Sequence, residues 1–105
     1  MEITIQYFDS CPGWRVVDTR VKELVQEHGL TVSLTYQLID TLEAAEEYQF
    51  AGSPTLLVDG RDPFKTDQAP IGLACRTYMT PAGLEASPSV DQIREALGVK
   101  QPAEA

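Results

Sequence analysis

Between residues 3 and 39 the hydrophobic pattern changes period twice. ITIQYF (3–8) mixes β-branched and aromatic residues with polar ones and stops at Asp9 and Ser10, both turn formers, as a strand does. From Pro12 onward Trp14, Val17, Val21, Leu24, Val25 and His28 recur at helical spacing, with Asp18, Arg20, Lys22 and Glu23 between them, until Gly29 offers a stop. TVSLTYQLI (31–39) then alternates, with Val32, Leu34, Tyr36 and Leu38 on one face. A strand, a helix and a second strand make a βαβ unit whose strands run parallel, because parallel neighbours need a long crossover. The chain is thereby placed in the α/β class.

Beyond that unit, Asp40 followed by Glu43 has the spacing of a reciprocal N-terminal cap for a short helix through Tyr48, and its run Glu43, Glu46, Glu47 reads as a solvated face. PTLLVD (54–59) is a short apolar strand that ends in the turn signal Asp59-Gly60. Residues 61–74 are polar, contain Pro63 and Pro70, and are long against the about 2–5 residues of a hairpin connection. Connections of that length often carry function. CRTYMT (75–80) has strand character, residues 81–86 read as a turn, and residues 87–97 as a helix with capping serines, Pro88 and a buried stripe of Val90, Ile93 and Leu97. One domain is expected over residues 1–98, followed by a polar, mobile tail over 99–105. Neither an internal repeat nor a linker is present.

At 105 residues the chain can form a single core. Its net charge of −8 repels phosphate backbones and anionic lipid, so neither nucleic acid nor membrane is an expected partner. No run approaches the roughly 18 apolar residues of a spanning helix. The first fifteen residues lack the basic start and apolar middle of a secretory signal, so a cytoplasmic address is expected. Cys11 and Cys75 are too far apart in sequence for a clustered metal site, and neither a metal nor a cofactor is expected. In a reducing compartment both would rest as free thiols.

The chemistry concentrates in YFDSCPGWR (7–15). A thiol at a helix start meets free backbone N–H groups and the positive end of the helix dipole, which favour the nucleophilic thiolate. Arg15 adds to this and Asp9 opposes it. The competing reading of Cys11 is a small buried residue closing a turn. Trp14 stands where a second cysteine would complete a CxxC, and indole cannot attack a mixed disulfide, so dithiol exchange within this motif is excluded. Trp14 either begins the buried stripe of the helix or shields Cys11 and stacks on a ligand. Cys75 is either a core cysteine opening a strand or a resolving or second ligand thiol presented by the long connection. His28 lies on the apolar stripe about 25 Å along the helix from Cys11, too far to serve as its base. Two other cysteine chemistries fail on spacing. A phosphatase loop needs a basic residue at the position of Val17, and a peroxiredoxin needs a hydroxyl at that of Phe8.

The order strand, helix, strand, helix, strand, strand, helix resembles the thioredoxin-like superfamily over about residues 2–98, as do the cysteine at the strand-to-helix turn and SPT in GSPTLLVDG. YFDSCPGW, GSPTLLVDGRDPF and LACRTYMTPAGLEASPSV are similar, more narrowly, to a small bacterial group with CPxW in place of CxxC, for which links to selenoproteins and organomercurial lyases have been suggested. The resemblance implies a four-stranded mixed sheet with helices on both faces, Cys11 as the catalytic thiol, and a cis Ser53–Pro54 bond that leaves the Ser53 backbone open to an extended thiol substrate. Pro12, Gly13, Trp14, Ser53 and Pro54 would bind that substrate. It also puts the fourth strand two places from the first, about 10 Å away. A disulfide tolerates a Cα separation of about 7 Å at most. Cys11 and Cys75 are therefore expected to act independently, unless Cys75 sits on the connection, folded back over the CPGW turn. The expected function is thiol–disulfide exchange by a single reactive thiol, Cys11, with a low-molecular-weight thiol or a partner protein thiol. The alternatives are a non-catalytic module binding a thiol-reactive ligand or a soft metal such as mercury through Cys11 and Cys75, and an interaction domain without redox chemistry.

Overall fold

The computed structural model describes residues 1–65 and 71–99. The βαβ unit forms where the periods place it. β1 (Glu2–Tyr7) and β2 (Ser33–Leu38) run parallel, from Glu2 opposite Ser33 to Tyr7 opposite Leu38, and α1 (Gly13–His28) crosses between them. α1 ends at Gly29, whose φ of 60° is the left-handed value a residue without Cβ takes freely. The Leu30 N–H then closes back on the Val25 carbonyl at 3.0 Å. β3 (Thr55–Val58) lies antiparallel on the other side of β1, Ile3 opposite Val58 and Gln6 opposite Thr55, so the strand order is β2-β1-β3.

One face of this sheet carries the main core. Ile3 and Ile5 of β1 and Leu56 of β3 are buried against Val17, Val21 and Leu24 of α1 and against Ile93 and Leu97. Ile93 belongs to α3 (Val90–Ala96), which opens on a complete capping box between Ser89 and Gln92. The alternate residues of the strands, Thr4, Gln6, Thr35, Gln37 and Thr55, give the other face a polar character, and Gln6 donates to Gln37 at 2.8 Å across it. A smaller core of Ile39, Ala45 and Phe50, with Phe8 and Leu73 packed on it, anchors α2 (Leu42–Glu47) beyond the ends of β1 and β2.

The expected four-stranded sheet, and with it the thioredoxin-like architecture, is not what the chain forms. Among the described residues the sheet has three strands. Among the same residues β4 (Tyr78–Thr80), inside the stretch expected as a strand, pairs with β5 (Gly83–Glu85), inside the stretch expected to be a bare turn, as a separate antiparallel ribbon. The outer edge of β3 explains this. At one end the chain doubles back through Asp59 and Gly60, both at positive φ, and Val58 and Arg61 exchange hydrogen bonds of 2.8 and 3.1 Å. Beyond the other end the Ser53 backbone bonds to Ala74 and Arg76. With both ends of that edge occupied by short irregular pairings, no fourth ladder runs along it among the described residues. Cys75, expected to open the fourth strand, lies outside any strand as an isolated bridge partner of Ser53. Two smaller corrections concern termini. The cap of α2 is Thr41, whose hydroxyl accepts from the Ala44 N–H at 3.1 Å, rather than Asp40. Apart from Val99, packed on the main core, the tail expected over 99–105 lies outside the described residues.

Candidate functional site

Cys11 sits in the tight connection between β1 and α1, its N–H on the Phe8 carbonyl at 3.3 Å, immediately before Pro12, which caps the helix with φ −68°. It is 2% exposed. Cys75 is exposed, and the two are joined in a disulfide with their Cα atoms 5.7 Å apart across a sequence separation of 64. The expectation of two free, independent thiols is therefore overturned. It assumed a Cys75 held inside a fourth strand. Instead, the connection carries Cys75 back to the start of α1, within disulfide range.

Three sets of contacts bring it there. First, the segment Ala74–Cys75–Arg76 runs alongside Ser53. The Ser53 N–H donates to the Ala74 carbonyl at 2.8 Å, and the Arg76 N–H donates to the Ser53 carbonyl at 2.8 Å. Second, Gly52 lets the segment approach. At φ +112°, a Cβ there would come within 3.0 Å of both the Ala74 carbonyl oxygen and Arg76 Cβ. Third, Arg76 pins the segment. Its Nη1 donates to Asp62 Oδ2 at 2.7 Å and to Thr55 Oγ1 at 3.2 Å, its Nη2 donates to the Phe64 carbonyl at 2.7 Å, and its guanidinium lies 4.7 Å from the Tyr78 ring centroid. The Arg76 and Asp62 side chains are only 9% and 10% exposed. Asp62 also accepts from the Phe64 N–H at 2.9 Å, so its carboxylate is held in place by its own turn.

The Ser53–Pro54 peptide is cis. Ser53 is fully buried, and its hydroxyl accepts from the Phe8 N–H at 3.2 Å, tying this segment to the turn that carries Cys11. The Pro54 carbonyl accepts from the Tyr78 hydroxyl. Burial is the main cause that drives the Tyr78 phenol well above its ordinary range, so it stays a neutral donor. The Ser53 backbone, expected to lie open to a substrate, is thus occupied by the chain itself.

The remaining predicted site residues are Pro12, Gly13 and Trp14. Trp14 is half-buried, its ring 4.4 Å from Tyr7 and 6.3 Å from Tyr36, with the Arg15 guanidinium 5.3 Å from its centroid. It begins the apolar stripe of α1 and packs on the main core. Gly13 is buried, and a Cβ on it would meet the Ala86 carbonyl oxygen at 2.5 Å, so it admits the chain leading into α3. Pro12 is exposed. Arg76, Asp62 and Gly52 were missed in the sequence. The available signal was an arginine directly after the second cysteine, together with an aspartate before Pro63 in a long polar connection.

Among the described residues, no group of three or more His, Cys, Asp or Glu side chains could hold a metal ion, and no helix is long and apolar enough to cross a membrane. Comparisons with protein-family models, with curated proteins and with solved structures return no match.

Proposed function

We propose that the chain works in thiol–disulfide exchange through Cys11 and Cys75 acting as a pair, with a low-molecular-weight thiol or a partner protein thiol as its reductant. The observation that carries this reading is the closure of Cys75 on Cys11 at the start of α1 from a separation of 64 residues. Cys75 is the exposed half of the bond and Cys11 the buried half. An incoming thiolate therefore attacks the Cys75 sulfur. A new S–S bond forms there, the Cys11–Cys75 bond breaks, and its electron pair leaves on Cys11. The first turn of α1 contains no acidic residue, and its free N–H groups and dipole stabilise that thiolate as a leaving group. The Cys11 thiolate can then attack the Cys75 sulfur again, restoring the disulfide and expelling the reagent. Alternatively a second reagent thiolate takes the first from Cys75, yielding the oxidised reagent and a protein dithiol.

The single-thiol role considered for Cys11 thus becomes that of the inner, resolving thiol. We place the protein in the cytoplasm, where a disulfide is more often catalytic or redox-sensing than structural. The net charge of −8 weighs against nucleic acid as a partner.

The test is equilibration in glutathione redox buffers, quenched by alkylation and read by mass. The pair is expected to titrate above about −300 mV, the level below which structural disulfides resist the glutathione pool. The Cys11→Ser variant is expected to accumulate glutathione on Cys75. A pair that stays oxidised throughout, with no adduct in that variant, makes the bond a structural cross-link. A second reading is favoured by the same proximity: once reduced, the two thiols could clasp a soft cation such as Hg(II). One equivalent bound to the reduced protein, and lost in either Cys→Ser variant, would identify it.

A further inference from the structure

We infer that Arg76 is a positioning residue that holds Cys75 against Cys11 in the reduced protein as well as in the oxidised one, and so sets the reduction potential of the pair. The inference rests on the exchange reading above and adds what controls it. When the Cys11–Cys75 bond is reduced by two glutathione thiols, two protein thiols and one glutathione disulfide result. Nothing in that reaction touches the other attachments of the segment. The two backbone bonds to Ser53 remain, as do the bonds from Arg76 to Asp62, Thr55 and the Phe64 carbonyl. An arginine fork fixed on an almost buried carboxylate and a backbone carbonyl is specific in direction, which a point charge is not. Its backbone N–H is one of the two bonds to Ser53, so anchoring the side chain also fixes the residue beside Cys75.

The consequence is thermodynamic. A segment that stays docked keeps the released thiol near its partner, and the effective concentration of one thiol at the other is high. A segment that lifts away on reduction gains chain entropy in the dithiol state only, which favours reduction. Weakening the anchor therefore lowers the effective concentration and moves the potential to less negative values.

The test uses the full chain with Arg76→Lys and, as a second variant that preserves side-chain shape, Asp62→Asn. Each is equilibrated with reduced and oxidised glutathione. The expected result is about a tenfold loss of effective concentration, a rise in potential of about 30 mV. In parallel, amide hydrogen exchange is measured on the phosphine-reduced proteins. The Arg76 amide is expected to be protected in the reduced wild type and to lose about tenfold of that protection in both variants. An Arg76 that only stabilises the fold would leave the potential unmoved, so an effective concentration within a factor of two of wild type in both variants, a shift of less than about 10 mV, overturns the inference. So does an unprotected Arg76 amide in the reduced wild type. If the disulfide never equilibrates with glutathione, the exchange reading fails instead, and the hydrogen-exchange comparison still decides the role of Arg76.

Discussion

Reducing the Cys11–Cys75 bond opens a covalent loop whose ends lie 64 residues apart in sequence. In the chain-entropy treatment, closing such a loop removes about 14 cal/mol/K from the unfolded ensemble, or about 4 kcal/mol at 25 °C. The native state loses little besides the bond itself, because Ser53 and the Arg76 cluster hold the segment independently. The whole difference should then appear as lower stability of the reduced form. With a urea m-value of about 1–3 kcal/mol/M for a small domain, the midpoint should fall by roughly 2 M. Urea titration of the oxidised protein and of the same protein in phosphine, followed by far-UV circular dichroism, measures it. A thermodynamic cycle supplies the cross-check. About 4 kcal/mol requires the effective concentration of the pair to be about a thousandfold higher in the native than in the urea-unfolded chain, which the glutathione equilibrium reads separately. Midpoints that coincide to within about 0.5 M would refute the assumption that the segment stays docked while the unfolded chain alone expands.

Two further outcomes follow from contacts around the site. Gly13→Ala gains a little helix propensity but drives its Cβ to 2.5 Å from the Ala86 carbonyl, so a net loss of about 1–3 kcal/mol is expected in urea titrations. Tyr78 has a phenol raised by burial, so the folded state holds its proton more tightly than the unfolded one. Its contribution is complete below pH about 10 and declines as the pH rises further, at up to about 1.4 kcal/mol per pH unit, and Tyr78→Phe should flatten that alkaline slope.

The parts of the fold that could be read in the sequence are those governed by local periodicity. Ile3, Ile5, Val17, Val21 and Leu24 are buried because each repeats at the spacing of its own element, and with the alternation of residues 31–39 they define the βαβ unit. The end of β1 likewise marked Cys11 as the residue at the helix start. The failures have a different origin. CRTYMT has the residue types of a strand, yet the course of its first residues is decided by a bond from Cys75 to Cys11 and by Arg76 reaching Asp62, partners that no local pattern encodes. The sheet spacing separates the two cysteines only if Cys75 lies within a fourth strand of the main sheet, whereas it lies outside any strand. β5 has three residues and begins at Gly83 with φ 106°, which in sequence looks like any turn. At α2, Asp40 and Thr41 are both competent caps, and spacing alone does not decide between neighbours.

The disulfide also divides the chain mechanically. Residues 11–75 form a covalent ring that contains α1, β2, α2 and β3, while β1 lies on the tail outside it and yet occupies the centre of the sheet between two ring strands. If the oxidised molecule were pulled by its two ends, the force would pass through the sulfur bridge and draw β1 out from between its neighbours without extending anything inside the ring. About 220 Å of chain, the 64 residues between the cysteines at about 3.4 Å each, would stay hidden until a thiol cut the bridge. The redox state of one bond thus decides whether most of the polypeptide can bear extension at all.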